Sequence, residues 1–487
     1  MSDSLKDKTI ASLFWKLMER AGNQIVLLIV QIVMARLLSP DDFGALAVIL
    51  VFINLANVLV QSGLGAALVQ SPRITDEDCS SVFWMSFLIS VILVIVLSLA
   101  APMVANTYLN DSLSAPLRTL SLTLLISAFN SVQVARVQRS LQFKKIFRAT
   151  VWSVCVSGVC GIVAALIGFG IWALIVQQFL YQLVNCVSLY CQERWLPQFA
   201  FNAVRAKKLF SFGWKILMSN ILNQGFLGIY NLVIGAQFST AQLGLVSQGE
   251  KYPAALGRML DGAIQPVMMS AVSRIQNDME RVKRLTRRAL KTSTYIIVPC
   301  MTLFAIAAQP IVILLFGEKW LGCVPFLQMY CFVYALLPIH SSNLSALSGI
   351  GRSDINLVLE IIKKCIGILA LVFGAFIVED VYVLVATAML TGVISTVINS
   401  WPNKRHINYS YGEQIRDIAP AFILSVITGV LALFVGHFFS NPALLILVET
   451  FVMVVAYLGL SALFRLEAFT YLVSTAHEFL TAKGRTR

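Results

Sequence analysis

The chain has 487 residues, of which 58% are apolar and only 13% are charged, and its formal net charge is +13. A soluble domain carries about a quarter charged residues, whereas apolar runs long enough to span a bilayer core of about 30 Å recur here from end to end. This composition excludes a soluble globular enzyme and predicts an all-α polytopic membrane protein.

The apolar runs predict about fourteen transmembrane helices. In chain order they lie at 13–38, 43–69, 82–105, 115–136, 149–168, 171–191, 210–236, 242–271, 291–316, 324–349, 355–378, 381–401, 418–438 and 442–464. The polar residues before the first helix lead into it without a small-residue cleavage site, so we expect the N-terminus to stay on the protein.

Lysine and arginine residues concentrate in alternate loops of this predicted helix order. The cationic loops hold Arg136, Arg139, Lys144, Lys145 and Arg148, then Arg194, Arg205, Lys207 and Lys208, then a central group of seven between Arg274 and Lys291. Cytoplasmic loops of membrane proteins carry this excess, so the pattern predicts both termini in the cytoplasm. The basic runs are interpreted as topology and anionic-lipid contacts, and no nucleic-acid partner is expected.

Weak internal repeats recur at an offset of about 200 residues. Lys16 in an FWK segment matches Lys215 in GWK, and Asn23-Gln24 matches Asn223-Gln224. The repeat predicts two pseudo-symmetric six-helix lobes, 1–191 and 210–401, with a site between them as in a transporter. The remaining segments are a basic linker, two C-terminal helices and a cytoplasmic tail, at 192–209, 402–464 and 465–487.

Polar side chains recur at helical spacing within several predicted spans. The cationic candidates for a central cavity are Arg20, Arg258, Lys251, Lys16 and Lys215. The uncharged or acidic candidates are Asn23, Gln24, Asn57, Gln61, Asn223, Tyr230, Asp261 and Gln265. A cation at mid-membrane costs at least about 2.5–3.5 kcal/mol if it faces lipid, so we expect these groups to face a water-filled cavity.

Two alternatives stay open for the cations. Arg258 either binds an anion in the cavity or forms a structural pair with Asp261, three residues further on the helix. Lys16 and Lys215 lie near predicted cytoplasmic helix ends, where their side chains can extend to the membrane surface instead. No motif of a soluble enzyme is present, and the nine cysteines show no metal-binding spacing and are interpreted as packing residues.

Four segments carry a resemblance to a known family: Ala35–Gln70, Gln138–Arg148, Ser273–Asp278 and Leu314–Trp320. They resemble the polysaccharide transporter family of Wzx-type O-antigen and colanic-acid flippases, within the multidrug/oligosaccharidyl-lipid/polysaccharide superfamily. The resemblance implies a bacterial inner-membrane flippase that carries undecaprenyl-pyrophosphate-linked oligosaccharide repeat units to the periplasmic leaflet by alternating access. It also implies cavity arginines on helices 1 and 8, for which Arg20 and Arg258 are the nearest positions.

The implied chemistry agrees with the residue types. Arginine and lysine suit a pyrophosphate, and the amide, hydroxyl and aromatic side chains suit sugars. No covalent step and no cofactor are expected, and coupling to the membrane potential, H⁺ or Na⁺ stays open. The implied partners are the lipid-linked oligosaccharide, membrane lipids and the polysaccharide polymerase machinery. The alternatives are a multidrug exporter of the same superfamily, a lipid II flippase, and a membrane glycosyltransferase or polymerase.

Overall fold

The fold is described from a computed structural model that covers residues 26–61, 64–71, 74–200 and 202–474. Within these residues the secondary structure is helical, and no strand occurs. The chain divides into two compact units, Met1–Gly244 and Leu245–Arg487. The predicted lobes, 1–191 and 210–401, and the predicted terminal segments have other boundaries than these units and remain predictions.

The first unit contains nine described helices and the beginning of a tenth. They are α1 (Val26–Leu37), α2 (Pro40–Gln61), α3 (Leu64–Gln70), α4 (Asp76–Thr107), α5 (Ser114–Ser121), α6 (Thr123–Arg139), α7 (Phe143–Leu166), α8 (Ile171–Glu193) and α9 (Ala203–Gln237). A 3₁₀ turn, Asp111–Leu113, precedes α5. Helix α10 (Thr240–Arg274) begins in this unit and continues into the second.

The second unit holds the rest of α10 and the helices that follow it. They are α11 (Met279–Ile306), α12 (Ala308–Leu315), α13 (Val324–Ala335), α14 (Leu337–Gly349), α15 (Ser353–Val372), α16 (Val381–His406), α17 (Tyr411–Gly436), α18 (Pro442–Leu463) and α19 (467–474). A 3₁₀ segment, Glu318–Cys323, precedes α13, and a π-helical turn, Phe373–Ile377, ends α15.

Ten helical segments of the described residues are long and apolar enough to cross a membrane. The prediction of an all-α, multi-span membrane protein is therefore confirmed at this level. The count of fourteen spans and the pair of six-helix lobes remain predictions.

Several helices begin well before the apolar runs that predicted them. Helix α4 starts at Asp76, where the Thr75 hydroxyl and the Asp78 carboxylate form a capping box. Helix α17 starts at Tyr411 behind an equivalent pair, Ser410 and Glu413. Both first turns are polar, so hydrophobicity alone places the helix start too late.

Proline explains two breaks within predicted helices. The predicted span 291–316 is divided at Ala307, three residues before Pro310, and 324–349 is divided at Leu336, two residues before Pro338. Proline has no N–H to donate to the preceding turn, and its ring clashes with the carbonyl four residues earlier. The chain therefore ends one helix and starts the next at each site.

The helix that carries the candidate site is held by glycine contacts. A Cβ added to Gly249 of α10 would lie 2.8 Å from the Cβ of Phe326 on α13, and one added to Gly257 would lie 3.1 Å from Cδ1 of Tyr334. Small residues let membrane helices approach closely. These contacts place one side of α10 against α13 and leave its other side uncovered by the second unit.

Candidate functional site

One face of α10 carries charged residues whose side chains the protein leaves exposed. Lys251, Ala255, Arg258, Gln265 and Met269 are all exposed, and their spacing places them on one side of the helix. Arg258 lies about 27 Å along the helix from Thr240 and about 24 Å from Arg274, at 1.5 Å per residue. The Arg258 guanidinium therefore lies near the middle of α10, and this helix is longer than the thickness of a bilayer core.

Arg258 is oriented by two residues of the second unit. Its Nη2 donates a hydrogen bond to the Tyr334 hydroxyl at 3.2 Å, and the Tyr334 hydroxyl donates to Glu250 Oε1 at 2.9 Å. The Arg258 side chain remains 65% exposed, and its Nη2 is 3.9 Å from Glu250 Oε1. An ion pair so long and exposed contributes little, so the guanidinium keeps most of its donors for a ligand.

The structural alternative for Arg258 was a pair with Asp261, but the carboxylate beside Arg258 belongs to another residue. The carboxylate near Arg258 is that of Glu250, eight residues earlier on α10, while Asp261 hydrogen-bonds Ser341 of α14. Asp261 is half-buried and Gln265 is exposed. Helix α10 therefore has a cationic face with the Glu250 carboxylate at its edge. Asp261 contacts α14 instead.

The polar candidates of the first unit lie on two packed helices. On α2, Asn57 and Gln61 are half-buried, and Gln61 Nε2 lies 3.5 Å from Asn57 Oδ1. On α9, Asn223 is exposed and Tyr230 is half-buried, two turns apart on one face. Gly228 between them packs against Val51 of α2, because a Cβ there would lie 2.6 Å from Val51 Cγ1. These groups suit hydrogen bonding to a polyhydroxyl ligand.

Five candidates lie outside this description. Lys16, Arg20, Asn23 and Gln24 precede the described residues, and Lys215 belongs to α9 but its side chain is outside the described set. Their assignment to the cavity remains a prediction.

Sequence reasoning missed Tyr334 as a site residue. It lies in an almost wholly apolar segment, VPFLQMYCFVYA, with no polar periodicity to single it out. The signal available was Gly257, the residue before Arg258, since a glycine in a membrane helix often marks the point at which another helix approaches.

Other buried polar residues of the second unit bond to one another. Asn399 Nδ2 lies 2.9 Å from His340 Nδ1, and Asn343 Nδ2 donates to Gln414 Oε1 at 3.0 Å. Asn403 also donates to Asn343. This network ties α14, α16 and α17 together, which is the usual use of amides between membrane helices. Among the described residues, no group of three or more His, Cys, Asp or Glu could hold a metal ion.

Comparison with a solved structure identifies the fold. The chain shares its fold with the lipid II flippase MurJ in its inward closed conformation, with a TM-score of 0.73 over 93% of this chain and 98% of that one. The sequences are 16% identical, so the likeness concerns the fold. The architecture is that of a multi-span helical membrane protein.

The sequence profile described as "Polysaccharide biosynthesis protein" matches residues 33–325, more than half of the chain, and the chain belongs to this family. It is 25% identical over 379 residues to the succinoglycan biosynthesis transport protein ExoT of Rhizobium meliloti (strain 1021), covering 77% of this chain and 76% of that protein. It is 24% identical over 440 residues to the lipopolysaccharide biosynthesis protein WzxC of Escherichia coli (strain K12), covering 89% and 88%. The family resemblance predicted from the sequence is confirmed.

Proposed function

We propose that the protein is a flippase for undecaprenyl-pyrophosphate-linked oligosaccharide repeat units. It moves them from the cytoplasmic to the periplasmic leaflet of the bacterial inner membrane by alternating access, for the assembly of a surface polysaccharide. It performs no covalent step, and both of its termini lie in the cytoplasm.

The exposed guanidinium of Arg258 is the observation that carries this proposal. A pyrophosphate has several acceptor oxygens, and arginine binds such groups with paired N–H donors. Tyr334 and Glu250 fix the side chain but do not cover it. Lys251, seven residues earlier on the same exposed face, would add a second positive charge for the same anion.

The amide and hydroxyl groups of α2 and α9 are the groups that we propose to bind the sugars of the substrate. Asn57, Gln61, Asn223 and Tyr230 can donate and accept hydrogen bonds with sugar hydroxyls. The relatives' names, a succinoglycan biosynthesis transport protein and a lipopolysaccharide biosynthesis protein, support a sugar-bearing substrate.

Export of a pyrophosphate moves about two negative charges outward, and an inside-negative membrane potential contributes about 2.3 kcal/mol per charge per 100 mV. The potential therefore favours the proposed direction. A multidrug exporter would instead need an acidic cavity for cationic drugs, and the exposed ionic groups near the middle of α10 are Lys251 and Arg258.

The proposal is tested in a strain that lacks the gene, scored for surface polysaccharide and for lipid-linked repeat units on the inner leaflet. Arg258→Ala should lower export about tenfold, because it removes charge-assisted hydrogen bonds. Tyr334→Phe should lower it about fivefold, because it removes the two hydrogen bonds through which Tyr334 orients the Arg258 guanidinium. Membrane levels of each variant are measured alongside.

Arg284→Ala is the matched control. The Arg284 side chain is 66% exposed and that of Arg258 is 65% exposed, but Arg284 pairs with Glu280 in the first turns of α11. Normal polysaccharide in Arg284→Ala with accumulation of precursor in Arg258→Ala supports the proposed site. Normal polysaccharide and normal precursor levels in Arg258→Ala would contradict it.

A further inference from the structure

A carboxyl group lies buried within the α17–α18 pair, away from the proposed substrate site. Glu449 of α18 is 3% exposed, and its Oε2 is buried without a hydrogen-bond partner among the described residues. Glu449 is seven residues from the start of α18, or about 10 Å at 1.5 Å per residue. It therefore lies inside a helix whose length and composition suit a membrane span.

Among the described residues, no salt-bridge partner of the Glu449 carboxylate is present. Helix α18 packs against α17, α12 and α11. Helix α12 has no titratable residue. The charged residues of α11 and α17 lie in the N-terminal parts of these two helices, far from Glu449. The titratable groups closest to the other ends of the two helices are Cys300 of α11 and His437 after α17. On α18 itself the nearest is Tyr457, whose hydroxyl donates to the Tyr295 carbonyl. No described salt bridge includes Glu449.

The fold makes room for this carboxyl. A Cβ added to Gly436, the last residue of α17, would lie 3.0 Å from Glu449 Oε1 and 3.1 Å from its Cγ. Gly436 is buried and His437, the next residue, is exposed. The carboxyl thus occupies the space that a side chain would fill, close to the point where α17 reaches the surface.

An isolated carboxylate is very unfavourable in such surroundings, whereas the neutral acid is tolerated. If the residue served only to fill space, an apolar side chain would fill it without this cost. A buried acid without a partner is able to change its charge when water reaches it, and the exposed turn after Gly436 lies next to the carboxyl.

We propose that Glu449 is a proton-binding site that releases and takes up one proton as the protein changes conformation. On release the acid O–H bond breaks and the proton passes to water, which leaves a carboxylate; uptake reverses the step. In the predicted orientation the α17–α18 turn is periplasmic, so the proton exchanges with that side. The coupling of this proton to lipid-linked oligosaccharide export rests on the proposed function, but the site itself does not.

The site is tested by infrared spectroscopy of the purified full-length protein in lipid nanodiscs, titrated from acidic to alkaline pH. The wild type should show a carboxylic-acid C=O band that disappears on titration, and Glu449→Gln should lack this band. Glu379→Gln is the control, since Glu379 is an exposed carboxyl in the turn before α16. A band that persists in Glu449→Gln, or one that never titrates in the wild type, would overturn the proposal.

Gly436→Ala provides a second variant that keeps the acid. Its Cβ should displace the carboxyl by a few tenths of an ångström and shift the band, without removing it. In proteoliposomes with an imposed pH gradient, wild-type export should respond to the gradient and Glu449→Gln export should not. A titrating band in a protein that moves no lipid-linked oligosaccharide would uphold the proton site and contradict the proposed function.

Discussion

Gly44 of α2 lies directly against Gly244 of α10, two hundred residues later in the chain. A Cβ on Gly44 would overlap the carbonyl oxygen of Thr240 and lie 2.9 Å from the Gly244 nitrogen. A Cβ on Gly244 would overlap the carbonyl oxygen of Pro40 and lie 3.1 Å from the Gly44 nitrogen. The two contacts mirror each other, and the Thr240 hydroxyl donates a hydrogen bond to Asp41 at the same place.

Gly44→Ala should destabilise the protein by about 1–3 kcal/mol, the usual cost of forcing a methyl group into a packed contact. The opposing atoms are backbone, so the two helices must move apart to make room. Thermal unfolding of the purified protein in detergent measures the change, and Gly244→Ala should give a similar loss because the contact is mirrored.

Gly225→Ala in α9 is the matched control for this pair. A Cβ there meets nothing within 4 Å, and alanine favours a helix by up to about 1 kcal/mol over glycine. Its unfolding temperature should be unchanged or higher. Equal stability of Gly44→Ala and Gly225→Ala would contradict the backbone contact between α2 and α10.

Asp417→Ala should destabilise the second unit strongly. The Asp417 side chain is 3% exposed; it accepts two hydrogen bonds from Arg287, at 2.7 and 2.8 Å, and lies 3.1 Å from Lys291 Nζ. Removing one partner of a buried ion pair costs about 3–5 kcal/mol, and the exposure of Arg287 places the effect near the lower limit. Glu280→Ala breaks only the exposed pair with Arg284 and should cost under about 1 kcal/mol in the same unfolding assay.

Tyr409→Phe should make stability less dependent on alkaline pH. Tyr409 lies in the turn between α16 and α17, where burial raises the pKa of its hydroxyl above the ordinary value, and this hydroxyl donates to Asp417 at 2.7 Å. The neutral form is thus favoured in the folded protein. The stability contributed is fully present below the unfolded pKa of about 10 and decreases as pH rises above it.

The measurement for Tyr409 is the difference in unfolding temperature between the wild type and Tyr409→Phe across alkaline pH. At neutral pH the wild type should be more stable, by about 1 kcal/mol for the lost hydrogen bond. The difference should shrink above pH 10. A constant difference at all pH values would show that Tyr409 does not ionise on unfolding.

Much of the helical architecture could be predicted because a bilayer imposes one strong requirement, a run of about 20 apolar residues per span. The starts of α4, α11 and α17 could not be predicted in this way, because caps and charged first turns set them. Helix α11 begins twelve residues before its predicted start, and its cationic turns still bury Val282 and Thr286. The breaks at Ala307 and Leu336 follow from prolines in the printed sequence.

The candidate site could be predicted only in part. A lone arginine near the middle of a long membrane helix has a high free-energy cost if it faces lipid. Arg258 was therefore identifiable from the sequence as a candidate site residue. Its partners were not, because the approach of Tyr334 depends on how α13 packs against Gly257. Asp261 is three residues from Arg258, yet it hydrogen-bonds Ser341, which lies 80 positions later.

Reconstitution of the purified protein tests whether it moves a lipid-linked oligosaccharide and whether Arg258 takes part. Purified protein in proteoliposomes is given a labelled polyprenyl-pyrophosphate oligosaccharide, and the fraction that reaches the opposite leaflet is measured with time. We expect protein-dependent translocation, lowered about tenfold by Arg258→Ala and unchanged by Arg284→Ala. Translocation that is equal in all three proteins would contradict a role of Arg258, and its absence in the wild type would contradict the flippase function.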